Sequence, residues 1–143
     1  MTFTTHPASL EPMKLDYTSL KKAIESLEKA AVRAEGARSD EELRDAVIQR
    51  FEYTYELCSK MIKRQLEQEV ASPSLIDNLS FKDLLREAAE KGMMQNIERW
   101  MEYRSQRNIT AHIYDKVKAQ SVYATALLFL KDAKRLCSDL ERR

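Results

Sequence analysis

Residues that turn or break helices are scarce in this sequence. Among 143 residues there are only 2 glycines and 3 prolines. A fold rich in strands needs many tight turns, and those turns depend largely on such residues. Neither a strand pattern nor an internal repeat is present. The shortage therefore predicts long helices with short connections, whose exposed faces hold the 33% of residues that are charged.

Cysteines and long apolar runs are also scarce. Neither Cys58 nor Cys137 has a histidine or cysteine at metal-ligand spacing, so we expect no zinc site and interpret both as small buried apolar residues. The longest apolar run, residues 126–130, is too short to cross a bilayer. The N-terminal residues lack the basic start and apolar stretch of a signal peptide. We therefore expect a cytoplasmic protein that uses no membrane, metal or other cofactor.

The charges of the acidic and basic residues almost cancel. The chain has 24 basic and 23 acidic residues, which gives a formal net charge of +1. A protein without a strong overall field does not attract nucleic acid to its whole surface. Any contact with RNA must therefore be local.

Periodic apolar residues predict four main helices and one short helix. The predicted ranges are 16–34, 39–70, 81–90, 97–108 and 116–141. Gly36 is predicted to stop the first helix, Ser39 with Glu42 to cap the second, and Ser80 and Asp115 to cap two later ones. Residues 1–14 are predicted to form a flexible tail, and residues 15–143 a single domain. We predict an all-α, antiparallel up-and-down four-helix bundle with one extra short helix.

The last helix has a wide apolar surface. Its predicted inward stripe comprises Val117, Ala124, Leu127, Leu128, Leu136 and Leu140. The stretch up to Leu130 is apolar nearly all round, so we expect it to be deeply buried or to lie at an interface.

One segment concentrates groups that can do chemistry, namely residues 107–115, with the sequence RNITAHIYD. His112 can exchange a proton with an RNA 2′-hydroxyl or with the leaving oxygen. Arg107 can hold the phosphate and stabilise its growing charge, and Asn108 can orient the phosphate or the imidazole. Together these groups can support phosphodiester cleavage without a metal ion.

Two neighbours widen this candidate site, and a structural alternative stands beside it. Tyr103 and Arg104 precede Arg107 by four and three residues, so they share its helix face and can add stacking and charge. Alternatively, an Arg–Asp bond ties the two helices together, His112 is a satisfied core residue and Tyr114 packs inside. Spacing alone favours this structural interpretation.

Other catalytic signatures are missing from the sequence. There is no glycine-rich phosphate loop, nucleophile elbow or pair of metal-binding carboxylates. The Gly-Ser and paired-aspartate signature of a nucleotidyltransferase catalytic domain is also missing. We therefore expect that the chain does not transfer nucleotides by itself.

Three blocks, in order, resemble those of the nucleotidyltransferase substrate-binding protein family, a branch of the HEPN superfamily with HepT-like members. The blocks are residues 50–57 (RFEYTYEL) followed by Lys60, residues 84–88 (LLREA) followed by Gly92, and Arg107-Asn108 with His112, Tyr114 and Asp115. The resemblance covers about residues 16–140. It implies a helical homodimer whose partner is a separate small nucleotidyltransferase.

The resemblance also implies roles for individual residues. In toxin members of two-gene toxin–antitoxin modules, an Arg and a His form a metal-independent ribonuclease site across the dimer cleft. The matching residues here are Arg107 and His112, with Asn108 in support. In related pairs, the nucleotidyltransferase adds AMP to the tyrosine two places after the histidine, which here is Tyr114.

Three hypotheses therefore stay open at the level of sequence. The chain is a substrate-binding subunit of a minimal nucleotidyltransferase, or a ribonuclease toxin that AMP addition to Tyr114 silences, or a purely structural helical dimer. The first two give Arg107, His112 and Tyr114 a function and add RNA as a ligand. The third gives these residues none.

Overall fold

The computed structural model describes residues 14–143, and this part of the chain is all-α. The predicted tail lies outside the described residues apart from Lys14. The helices are α1 (Thr18–Glu35), α2 (Glu41–Glu69), α3 (Phe81–Glu90), α4 (Ile97–Ile109) and α5 (Lys116–Glu141), and two short 3₁₀ helices span Pro73–Asn78 and Thr110–His112. The four long helices and the short α3 confirm the predicted fold class.

Most predicted helix ends are confirmed, with one exception at the start of α2. Asp40, rather than Ser39, caps this helix: its carboxylate accepts the backbone N–H groups of Glu42 and Leu43 at 2.9 and 3.2 Å. The predicted capping box of Ser39 and Glu42 was therefore wrong. The turn after α1 continues to Asp40, whose N–H donates to the Ala37 carbonyl at 2.9 Å, so Asp40 is the last residue before the helix.

The other predicted caps form as expected. The Ser80 hydroxyl accepts from the Asp83 N–H at 3.1 Å, and the Asp115 carboxylate accepts from the Val117 and Lys118 N–H groups at 2.9 and 3.2 Å. Gly36 follows the end of α1 in a right-handed conformation, with φ of −80°. The Ser80 and Asp115 side chains satisfy N–H groups that have no partner inside their helices, and the Gly36 N–H binds carbonyls at the end of α1.

The four long helices alternate in direction, so the bundle is up-and-down. Contacts that fix these directions are Tyr17–Gln65 and Ser26–Tyr53 for α1 with α2, Lys21–Glu141 and Glu28–Lys134 for α1 with α5, and Arg99–Asp132 and Gln106–Ser121 for α4 with α5. In each pair of helices, residue numbers rise along one helix as they fall along the other. α1 and α4 therefore run opposite to α2 and α5.

An aromatic cluster joins the three helices that carry the candidate site. Phe129 of α5 is fully buried. The rings around it are Phe51 at 5.1 Å, Tyr103 at 5.2 Å, Trp100 at 5.8 Å and Tyr55 at 6.2 Å between centroids. Each such pair adds about 0.5–1.5 kcal/mol beyond the burial of area. The cluster therefore fixes α4 and α5 against α2.

The buried stripe of α5 differs from the predicted one. Its buried residues are Ala119, Val122, Ala126, Phe129, Ala133, Leu136, Cys137 and Leu140. Val117 and Leu128 are 75% and 60% exposed, and Ala124 is exposed as well, so their predicted inward positions were wrong. Small alanines on the true stripe let the helices pack closely, and α5 keeps an apolar face outside the core.

Both cysteines are buried, as the sequence predicts. Burial raises the pKa of each thiol, with Cys58 fully enclosed. Across residues 14–143, no helix combines the length and the apolar character that crossing a membrane requires.

Candidate functional site

The candidate site lies where α4 ends and α5 begins. Thr110–His112 forms one tight 3₁₀ turn. Ile113 keeps a right-handed helical backbone, with φ of −74° and ψ of −4°, before Asp115 caps α5. The Thr110 hydroxyl lies 2.7 Å from the Arg107 carbonyl, where it competes with the regular helix bonds. The chain therefore passes from α4 to α5 through a compact turn rather than through an extended segment.

Arg107 is anchored to α2 by two carboxylates. Its Nε lies 3.1 Å from Glu56 Oε1 and its Nη1 lies 3.3 Å from Glu52 Oε2, while Nη2 also contacts Glu56. The hydrogen bond to Glu56 is the main cause of the raised pKa of Arg107. Its side chain stays 31% exposed, so the guanidinium is fixed in position, fully charged and still accessible.

Thr110 completes this anchor. Its hydroxyl lies 2.8 Å from Glu52 Oε2, so the same turn that carries His112 also contacts the carboxylate beside Arg107. The sequence alone predicts no role for Glu52, Glu56 or Thr110. The signal was present, because Glu52 and Glu56 stand one helical turn apart inside the RFEYTYEL block.

His112 and Tyr114 lie side by side on the surface. His112 Nδ1 is 3.4 Å from the Tyr114 hydroxyl, and the two rings meet edge to face with centroids 5.9 Å apart. His112 is exposed, and Tyr114 is 84% exposed. Neither residue is the core or packing residue that the structural alternative requires.

Asp115 also departs from that alternative. Its carboxylate caps α5, whereas Arg107 reaches across to α2. The Arg–Asp bond between neighbouring helices does not form. What ties the end of α4 to the bundle is a contact between residues more than fifty positions apart.

The remaining predicted site residues occupy different environments. Asn108 is exposed, and its amide makes no hydrogen bond within the described part of the chain. Tyr103 is only 2% exposed and bonds to Asp132, so the structure does not support the stacking role predicted for it. Arg104 is exposed, and its guanidinium carbon lies over the Phe81 ring, 4.6 Å from the centroid.

The arrangement combines an exposed imidazole, an exposed phenol and a held guanidinium at one end of a helix pair. An imidazole can accept and donate protons near neutral pH, and a guanidinium can bind a phosphate. Among residues 14–143, no three His, Cys, Asp or Glu side chains are grouped closely enough to hold a metal ion. The imidazole, guanidinium and phenol can support acid–base catalysis, anion binding and modification of a tyrosine.

Known proteins resemble this chain over most of its length. A Haemophilus influenzae protein named probable ribonuclease HepT is 45% identical over 96 residues, which make up 67% of this chain and 66% of that protein. The chain therefore spans slightly less than two thirds of that relative's length. A solved structure from the same organism, described as showing the fold of a substrate-binding domain of a nucleotidyltransferase, aligns with a TM-score of 0.83 and 37% identity, covering 90% of this chain and all of that one.

A family model agrees with both relatives. The model described as nucleotidyltransferase substrate binding protein like matches residues 15–142. This match covers all five helices and the turn that carries His112 and Tyr114. The resemblance seen in the three sequence blocks is thereby confirmed, and the chain belongs to the nucleotidyltransferase substrate-binding protein family.

Proposed function

We propose that this chain is the helical partner of a separate minimal nucleotidyltransferase, in a two-gene module of the toxin–antitoxin kind, and that it presents Tyr114 as the acceptor of AMP. The observation that carries the proposal is the position of Tyr114, which is 84% exposed and projects beside His112. An exposed phenol without a packing role is accessible to a second enzyme. The chain supplies the acceptor, and the partner supplies ATP binding and Mg²⁺.

The transfer balances as an ordinary nucleotidyl transfer. The Tyr114 oxygen attacks the α-phosphorus of ATP, a phosphodiester bond to AMP forms, and pyrophosphate leaves. The phenol proton passes to a base, and the His112 ring is close enough to accept it, with Nδ1 3.4 Å from the hydroxyl oxygen. The acceptor and a proton acceptor therefore come from the same turn.

A second candidate function is metal-independent cleavage of RNA. His112 would take the proton of a 2′-hydroxyl, whose oxygen attacks the adjacent phosphorus and breaks the bond to the 5′-oxygen. A cyclic phosphate forms, and the 5′-oxygen leaves as a hydroxyl after it takes a proton from water. Arg107 would bind the phosphate, and Asn108, exposed beside it, would contact the same ligand. The exposure of His112, five residues after an anchored and accessible arginine, favours this candidate over a purely structural role.

The two candidates share one site, so modification would regulate cleavage. AMP on Tyr114 would place a bulky anion beside His112, because the two side chains are in contact. Its phosphate would compete with RNA for the nearby cations and repel a second polyanion. The nucleotidyltransferase would then silence the nuclease without unfolding the bundle.

The exposed apolar face of α5 supports the proposed homodimer. Val117, Ala124 and Leu128 follow one another at helical spacing on this face, and Tyr114 stands just before it. A two-fold pairing uses the same patch on both subunits. Because the patch begins beside His112, such pairing would bring the two candidate sites toward one cleft.

The partnership is tested by mixing the purified chain with the small nucleotidyltransferase that the proposed two-gene module would encode. We expect the two proteins to elute together in size-exclusion chromatography and the chain to gain AMP when ATP and Mg²⁺ are added. A partner that is active on another acceptor, but neither binds nor modifies this chain, would contradict the proposal.

A further inference from the structure

Arg104 differs from the other cation of the site in having no acidic partner. Arg107 forms ion pairs with Glu52 and Glu56, whereas within residues 14–143 no carboxylate lies within ion-pair distance of Arg104. Arg104 is exposed as well. Its charge is therefore available to a ligand.

The guanidinium of Arg104 rests on an aromatic ring from another helix. Its carbon lies 4.6 Å from the centroid of Phe81, at the start of α3, and Phe81 is only half-buried. Phe81 in turn packs against Tyr55 of α2, with centroids 6.3 Å apart. Three helices therefore contribute to this cation–ring pair, and Arg104 stays exposed within it.

This pair lies next to the candidate phosphate-binding residue. Arg104 and Arg107 are three residues apart on α4, which corresponds to about 4.5 Å along the helix and one shared face. Arginine planes and aromatic rings are the usual surfaces on which unpaired bases of RNA stack. A nucleotide next to the phosphate at Arg107 can reach this surface.

We propose that Arg104 and Phe81 form a stacking platform for a base of single-stranded RNA, one nucleotide away from the phosphate held by Arg107. The platform rests on the second candidate function, cleavage of RNA by Arg107 and His112. It gives the site a preference for unpaired RNA, because a base inside a duplex cannot turn out onto the platform.

The platform is tested by RNA binding in a chain that cannot cut. His112→Ala supplies that background, and the probe is a set of single-stranded RNAs that carry 2-aminopurine at each position in turn, since its fluorescence falls on stacking. We expect one position to be quenched on binding. Arg104→Lys keeps the charge but loses the plane, so it should remove the quenching and weaken binding about tenfold.

Two further variants separate stacking from charge and from misfolding. Phe81→Leu keeps an apolar side chain but removes the ring under the guanidinium, and it should reproduce the loss of quenching. Arg86→Gln removes an exposed arginine that is already paired with Asp83, so it should change binding less than about twofold. Melting curves confirm that each variant is folded.

The outcomes distinguish this proposal from the function on which it rests. If the unmodified chain cuts RNA but Arg104→Lys binds and quenches as before, the platform is refuted and the nuclease stands. If the unmodified chain neither cuts nor binds RNA, the nuclease and the platform are both refuted. If Arg86→Gln weakens binding as much as Arg104→Lys does, general charge explains the effect and the platform is refuted.

Discussion

Arg107 forms ion pairs with two carboxylates of α2, Glu52 and Glu56. These pairs hold its side chain in place, but the carboxylates also weaken the positive potential that a bound phosphate would experience. A substrate phosphate therefore has to share the donors of Arg107 with Glu52 and Glu56. Fixed donors cost little reorganisation when charge develops on the phosphate. Anchoring thus favours catalysis over tight binding of the ground state.

The nuclease candidate makes a prediction for single residues. His112→Ala and Arg107→Ala should each lower cleavage of single-stranded RNA about 100-fold or more, because each removes a proton-transfer group or a charge stabiliser. Arg107→Lys should fail too, since an ammonium cannot replace a forked guanidinium. Cleavage is measured with and without EDTA and should not depend on it.

A control and a biological assay accompany this test. Arg86→Ala removes an arginine outside the site and should leave cleavage unchanged. Expression of the chain alone should arrest growth, and His112→Ala should relieve the arrest. RNA cleavage that persists in His112→Ala would remove this residue from the mechanism.

At this scale the sequence alone does not predict how exposed the site residues are. Spacing favoured burial of His112 and Tyr114, and only the resemblance to the family gave them a role, whereas the structure shows both exposed. Glu52 and Glu56 could not be assigned, because only packing of α2 against α4 brings them to Arg107. The stacking role predicted for Tyr103 was wrong, because consecutive residues of a helix point in different directions. Arg104 points to the surface, whereas the Tyr103 ring packs against Phe129 in the core.

At the scale of helices, local signals placed most boundaries. Ser80 and Asp115 cap as predicted, because a side-chain oxygen before a helix binds N–H groups that have no other partner. The buried face of α5 was harder to predict, since that helix is apolar on more than one side. Which face turns inward depends on Phe129 and on the alanines that allow close packing.

The end of α5 provides a prediction about stability and pH. Arg143 Nε donates to Glu69 Oε2 at 2.6 Å, which ties α5 to the end of α2, and this bond is the main cause of the lowered pKa of Glu69. A carboxyl whose pKa is lower in the folded chain stabilises that chain above its unfolded pKa. This contribution is lost as the pH falls through the lowered folded value.

We therefore expect Glu69→Gln to reduce the free energy of unfolding by about 1 kcal/mol at pH 7, as for a partly buried ion pair. The loss should shrink below about pH 4, where an unfolded glutamate is itself protonated. Urea denaturation at pH 7 and below about pH 4 measures the free energy of unfolding of both chains. Glu25→Gln, an exposed residue with no ion pair in the described chain, is the control, and an equal effect of both variants would contradict the expectation.

At the scale of the whole molecule, the sequence was sufficient to predict the fold class, the helix count and the alternation of directions. Few turn residues and short connections leave little choice besides antiparallel neighbours. The family match and the solved relative agree with that fold. The oligomeric state cannot be predicted in the same way. An exposed apolar face indicates that its burial is favourable, but it does not identify what covers it.

The proposed dimer makes the next prediction. Light scattering at micromolar concentration should give the mass of two chains, and Leu128→Glu should give one, because it places a charge in the apolar face of α5. Leu75→Glu is a matched control, since Leu75 is 64% exposed but lies on the Pro73–Asn78 segment, away from that face. A monomeric unmodified chain, or a dimeric Leu128→Glu variant, would contradict the proposed interface.

Tyr114 is the proposed acceptor for a partner nucleotidyltransferase, and the intact mass of the chain shows directly whether AMP has been added. After incubation with the partner, ATP and Mg²⁺, the unmodified chain should gain at least one AMP, and Tyr114→Phe should gain none. Tyr53→Phe, which changes another exposed tyrosine at 38% exposure, should be modified like the unmodified chain. AMP that still appears on Tyr114→Phe, or no gain of mass with a partner proven active on another acceptor, would contradict the account.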